Sequence, residues 1–185
     1  MQHKREEKAI VLDFLPNGYP FDRRPIHLKT AIAQVLGKEK FTLLELVPKK
    51  GIHLQPYEEV YIGDQRRDKV HHINGKIGPE RLTETAKAEL QHAVTQLVNE
   101  QEARFVEFFN SAQPLSTRTH AFELLPGVGK KHMWEIVEAR SKGPFQSYED
   151  IKARVKLMPD PQKVLVARVL NEILGKEKHC LFVER

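Results

Sequence analysis

The chain has 185 residues, 40% of them hydrophobic and 30% charged, with a net charge of +5. That composition excludes a disordered or collagen-like chain, and no apolar run approaches the ~20 residues of a membrane span. A lone cysteine, Cys180, excludes an internal disulfide, and with no signal peptide opening the chain a cytoplasmic protein is expected.

Charge is unevenly spread. Residues 1–78 carry 14 Lys/Arg against 10 Asp/Glu (+4), residues 79–114 carry 3 against 6 (−3), and residues 115–185 carry 13 against 9 (+4). Two basic ends flank an acidic middle, as expected if a polyanion touches both ends. A mildly basic surface rich in Lys and Glu also occurs in heat-adapted proteins.

The first segment reads as β structure. Ala9–Leu12 is an apolar run stopped by Pro16-Asn17-Gly18, and Ile26–Leu36 is a second candidate strand broken at Gly37. Phe41–Val47, Val60–Ile62 and Val70–Ile73 complete a set of five, separated by Pro48, Gly51 and the turn Gly63-Asp64-Gln65-Arg66-Arg67. Five short strands predict a small barrel. OB-like is the first reading and SH3-like the second, because strand number does not separate them. From Leu82 the apolar spacing becomes helical through Ala86, Leu90, Ala93, Val94, Leu97 and Val98 to Phe105, Phe108 and Phe109, with a break expected across Asn99–Arg104. The three phenylalanines are expected in a core joining the barrel to the C-terminal lobe. The expected fold is therefore α+β: a barrel over 1–78, a helical linker over 79–114, and a helical domain of four or five helices over 115–185.

The third segment contains the most informative stretch. Leu124-Leu125-Pro126-Gly127-Val128-Gly129-Lys130 lies between a short helical run, Thr119–Leu124, and a longer one, Lys130–Arg140. Gly127 and Gly129 are expected to permit positive φ and close backbone approach. Val128 is expected to plug the two helices together. The amides of Val128, Gly129 and Lys130 would face an anion at the helix start, supported by Lys130 and Lys131. A weak repeat follows, Leu157-Met158-Pro159-Asp160-Pro161-Gln162-Lys163, which lacks both glycines and places Asp160 where a phosphate would come. The second hairpin is therefore expected to be structural. Ser147 with Asp150 forms a capping box, and Asp160 can cap a final helix with Pro161 in its first turn.

Leu125–Lys130 with Ile136 and Arg140 resembles the helix-hairpin-helix motif of DNA repair and recombination proteins, in which Gly143-Pro144-Phe145 with Ser147, Glu149 and Asp150 also recurs. The whole chain resembles an uncharacterised archaeal family with an N-terminal OB-like domain and a C-terminal helix-hairpin-helix domain. The matching stretches include Val11–Pro16, Phe41–Pro48, Val60–Gly63, Phe105–Asn110 and Leu181–Val183. That resemblance implies an RNA-binding protein.

Enzymatic readings are weaker. A glycosylase would need a larger helical domain and a catalytic Asp after the hairpin. A Schiff-base Lys130 would need an apolar pocket. His71-His72 cannot chelate one ion if successive strand residues point to opposite faces. No metal, cofactor or catalytic residue is expected. In the barrel, Arg66, Arg67 and Lys69 are candidate phosphate contacts, and Tyr57 and Tyr61 are candidate stacking platforms. The leading expectation is a non-catalytic nucleic-acid-binding protein that favours RNA over DNA. The alternatives are an adaptor docking on a ribosomal or transcription component, a DNA repair or recombination accessory factor, and a nuclease or glycosylase.

Overall fold

A computed structural model describes residues 5–184. It is α+β: five antiparallel strands curl into a half-barrel, and five α-helices follow. The described residues divide into two compact units, 5–93 with 172–184, and 94–171.

The strands of the first unit are β1 (Lys8–Leu15), β2 (Ile32–Gly37), β3 (Leu43–Pro48), β4 (Glu59–Tyr61) and β5 (Val70–Lys76), ordered β4-β1-β2-β3-β5. Ala9, Val11, Ala33, Val35, Leu44, Leu46, Val60, Ile62 and Val70 fill one core cluster with Leu54. The other side of β1 and β2 is buried as well, through Ile10, Leu12 and Leu36. These strands therefore read as continuous apolar runs and show no alternation. The open edges are bridged at their ends, where Lys69 beside β5 pairs with Glu58 beside β4.

The expected strand over 26–36 starts only at Ile32. Ile26–Leu28 instead forms a 3₁₀ turn after Pro25, with Ile26 and Leu28 exposed. Proline fixes φ and removes a ladder donor, and nothing on either face of this segment offers burial.

A buried glutamine locks the first helix to the sheet. Gln34 donates to the Arg81 carbonyl at 2.8 Å and accepts from the Thr83 amide at 2.9 Å. Thr83 in turn caps α1 (Glu84–Glu100) by accepting from the Ala86 amide at 3.0 Å, and its hydroxyl donates to Asp13 at 2.6 Å. Residues 172–184 also belong to the first unit rather than to the helical domain expected over 115–185. The buried Glu172 carboxylate gathers the amides of Leu181, Phe182 and Val183 at 2.7–2.9 Å.

In the second unit α1 ends and α2 (Glu102–Ser111) begins across Gln101, inside the interval where the apolar spacing predicts a break. Next come a 3₁₀ turn at Ala121–Leu124, α3 (Lys130–Ser141), α4 (Tyr148–Arg154) and α5 (Pro161–Ile173). Phe108 and Phe109 pack on Phe122, and Phe109 also meets Phe145 edge-on, so these rings form a core of the second unit itself. Ser147 accepts from the Asp150 amide at 3.0 Å, whereas the Asp150 carboxylate reaches the Gln146 amide rather than that of Ser147. Arg154 clamps the α3–α4 connection by donating to the carbonyls of Ala139, Gly143 and Pro144 while lying over the Phe145 ring.

Candidate nucleic-acid interface

The hairpin turn is built by a chain of local bonds. His120 opens the 3₁₀ turn: its Nδ1 accepts from the Phe122 amide at 3.2 Å, and the His120 amide donates to the Glu123 carboxylate at 2.7 Å. Leu125 and Val128 are buried, and the Val128 amide donates to the Leu125 carbonyl at 3.1 Å. Gly127 sits at φ +74°, where a β-carbon is disfavoured, and the site of that carbon lies 3.4 Å from Pro159 of the second hairpin. The two hairpin turns therefore pack against each other. Arg168, 2% exposed, reaches from α5 to donate to the Leu124 carbonyl at 2.7 Å and anchors the entry to the turn.

Two details differ from expectation. Gly129 adopts φ −97° and ψ −172°, an extended conformation open to any residue, so it has no need of positive φ. A β-carbon added there would meet nothing within 4 Å, which leaves an open approach to the backbone. The amides also sit two positions later than expected. Val128 uses its amide inside the turn, and Gly129 donates to His132 Nδ1 at 3.3 Å. The first helical bond runs from the Met133 amide to the Gly129 carbonyl at 3.0 Å. The amides of Lys130, Lys131 and His132 thus precede it at the positive end of α3. Lys131 is exposed. Lys130, its side chain 69% exposed, donates to the Arg118 carbonyl at 3.1 Å and lies 3.7 Å from Glu123.

The second hairpin carries its own anion. Asp160 accepts from the amides of Gln162 at 2.9 Å and Lys163 at 3.2 Å and pairs with Lys152 at 3.3 Å. Burial works against its charge, but the Lys163 amide and Lys152 outweigh that and hold the carboxyl below the usual range.

In the barrel unit, Arg66 is exposed on its turn. Arg67 donates to the Gly63 carbonyl at 2.8 Å and lines a cavity of about 380 Å³ whose apolar side is Leu44, Ile62 and Ile73. Lys69 is engaged with Glu58 and holds that carboxyl below its ordinary value. Tyr57, at φ +65°, binds Glu89 of α1 through its hydroxyl, and Tyr61 accepts from the Gln65 amide at 3.2 Å. Both tyrosines thus brace local structure. His71 and His72 do not point to opposite faces: their Nδ1 atoms are 2.7 Å apart. The β3–β5 register skips between Val47 and Pro48, and a bulge there re-aims the side chain.

A family model described as "Protein of unknown function (DUF655)" matches residues 5–184. This chain belongs to the DUF655 family. Within curated proteins, the Methanocaldococcus jannaschii protein "Uncharacterized protein MJ0038" is 42% identical over 183 residues, covering 98% of this chain and 81% of that relative. The crystal structure of Af1531 from Archaeoglobus fulgidus, of the same family model, superposes with a TM-score of 0.89 at 45% identity, covering 97% of this chain and all of that one.

Two features of this DUF655 chain escape sequence reasoning. Residues 16–31 expose Phe21, Ile26 and Leu28, and Phe21 stacks on Tyr19 at 4.9 Å. Strand propensity hides this loop. On α3, Trp134 is 65% exposed. Its place one helical turn after Lys130, on the same helix face, was a legible signal. Among the described residues no helix is long and apolar enough to cross a membrane.

Proposed function

We propose that the chain is a non-catalytic nucleic-acid-binding protein that holds RNA, in preference to DNA, by its sugar-phosphate backbone. One observation carries this: the first hairpin presents the leading amides of α3 beside Lys130 and Lys131, over a Gly129 with open space above it. That arrangement suits an anion that carries no base information. In the barrel unit, Arg66 is the cation best placed for a second contact, with Arg67 at the cavity rim. RNA is favoured because two backbone grips suit a structured, irregular strand, and because the resemblance drawn from the sequence implies an RNA-binding protein. The exposed Lys130 has the opposite environment to the apolar pocket that activates a nucleophilic lysine.

Direct binding across a salt series tests this, with structured RNA, single-stranded RNA, single-stranded DNA and duplex DNA of matched length. Each neutralised phosphate adds roughly −0.9 to the log–log slope on duplex DNA and roughly −0.7 on a single strand. A slope worth several contacts with RNA preferred supports the proposal. No binding to any of the four at low salt refutes it. The exposed Phe21, Ile26 and Leu28 favour a second reading, an adaptor docking on a ribosomal or transcription protein. Capture of such a partner that survives nuclease treatment and is lost in Phe21→Ser would support that instead.

A further inference from the structure

Trp134 is the only tryptophan of the chain, and it stands in water. Tryptophan is on average a strongly buried residue. The inward side of α3 is supplied by Met133 and Ile136, so the fold of the helix does not use the indole. Trp134 instead lines a cleft of about 280 Å³ between α3 and the loop at 114–120. Met133 and Val137 give the cleft an apolar floor, and Arg118, Lys130 and Arg140 set three cations around it against the single carboxylate of Glu123.

The cleft wall is held in place before any ligand arrives. The Leu115 amide donates to the Thr119 carbonyl at 2.8 Å, Ser116 Oγ accepts the amides of Arg118 and Thr119 at 3.1 Å, and Lys130 Nζ ties the loop to α3 through the Arg118 carbonyl. Arg140 is fixed as well, donating to the Ala112 carbonyl at 2.8 Å. A preformed, partly apolar cleft with a flat aromatic wall and surplus positive charge matches a planar ring that carries an anion. Its volume, near the lower end for ligand sites, suits one ring with its sugar rather than a larger ligand.

We propose that this cleft takes an unpaired nucleobase, stacked on Trp134, from the strand whose phosphate lies at the start of α3. This rests on the nucleic-acid reading above and deepens it, because it makes the hairpin unit selective for single-stranded or splayed-out nucleotides. Within a duplex the faces of the bases cover one another, and an indole reaches only a base that has left the stack.

Because Trp134 is the sole tryptophan, the emission of the full-length protein reports this site alone. The protein is titrated with a 12-nucleotide single-stranded RNA and with the matched RNA duplex, while a dye on the RNA reports binding independently by anisotropy. The single strand is expected to quench tryptophan emission along the same isotherm as the anisotropy, and the duplex to bind without quenching. Trp134→Ala is expected to lower single-strand affinity roughly 5- to 150-fold, the range for loss of one stacked base, and to leave duplex affinity within about twofold. Trp134→Phe keeps an aromatic face and is expected to restore most of the loss. Saturation by anisotropy with unchanged emission, together with unchanged affinity in Trp134→Ala, overturns the stacking site and leaves the backbone grip standing. Failure of both RNAs to bind at low salt overturns the grip and the stacking site together.

Discussion

The Gly129→Asp substitution separates folding from binding because it should move them in opposite directions. At φ −97° an L-residue is unstrained, and a β-carbon finds open space. Aspartate at this position becomes the N-cap of α3. It gains a few tenths of a kcal/mol over glycine as a cap and about 0.3–1 kcal/mol from the helix dipole. The protein should therefore gain about 1 kcal/mol, seen as a rise of roughly 2–4 °C in Tm at this chain length. The new carboxylate would take the amides that an RNA phosphate needs. Losing one charge-assisted contact, worth about 1.5–3 kcal/mol, weakens binding roughly 10- to 150-fold. The log–log salt slope on single-stranded RNA should become about 0.7 less negative. Anisotropy titrations of labelled RNA at several salt concentrations, beside urea denaturation, read both quantities, with Gly129→Ala as the uncharged control. A variant that is stabilised yet keeps its affinity and its slope would refute the hairpin as the grip.

Asp160→Ala removes the cap of α5 and should cost about 1 kcal/mol by urea denaturation with RNA affinity unchanged; a clear loss of affinity would mean that the second hairpin also meets the ligand. Arg168→Met leaves the Leu124 carbonyl without its 2.7 Å donor, which should cost about 1–3 kcal/mol; an unchanged denaturation midpoint would remove Arg168 as the anchor of the turn. His120 has its pKa lowered from 6.5, by burial first and then by nearby Arg140, and its neutral ring accepts the Phe122 amide. A depressed folded-state pKa contributes stability that is present above pH 6.5 and is lost as pH falls through the folded value. Wild-type Tm should therefore drop on acidification below about pH 6.5 more steeply than that of His120→Asn, and parallel curves would show that His120 does not govern the acid limb.

Much of the architecture was legible because local chemistry and tertiary structure agree. The change from short apolar runs to helical spacing at Leu82, the break near Gln101, the Ser147 and Asp160 caps and the Pro-Gly-Val-Gly turn all depend on residues within a few positions of each other. The errors arise where a distant partner decides. Ile26 and Leu28 have strand propensity but no sheet face to cover. The β3–β5 register skips His71, and the bulge brings its ring to His72. Which partners Lys69 and Tyr57 take, Glu58 and Glu89, is also set at a distance, 11 and 32 positions away.

The sequence by itself determined the two kinds of secondary structure, the glycine turn and its basic flank, because periodicity, capping and φ requirements are local properties. Only the tertiary structure decided that Arg168 anchors the Leu124 carbonyl, that residues 172–184 return to the sheet unit, and that Trp134 lines a cationic cleft. Exposure, bond partners and enclosed space are properties of residues brought together from 9 to 44 positions apart, and no local pattern encodes that meeting.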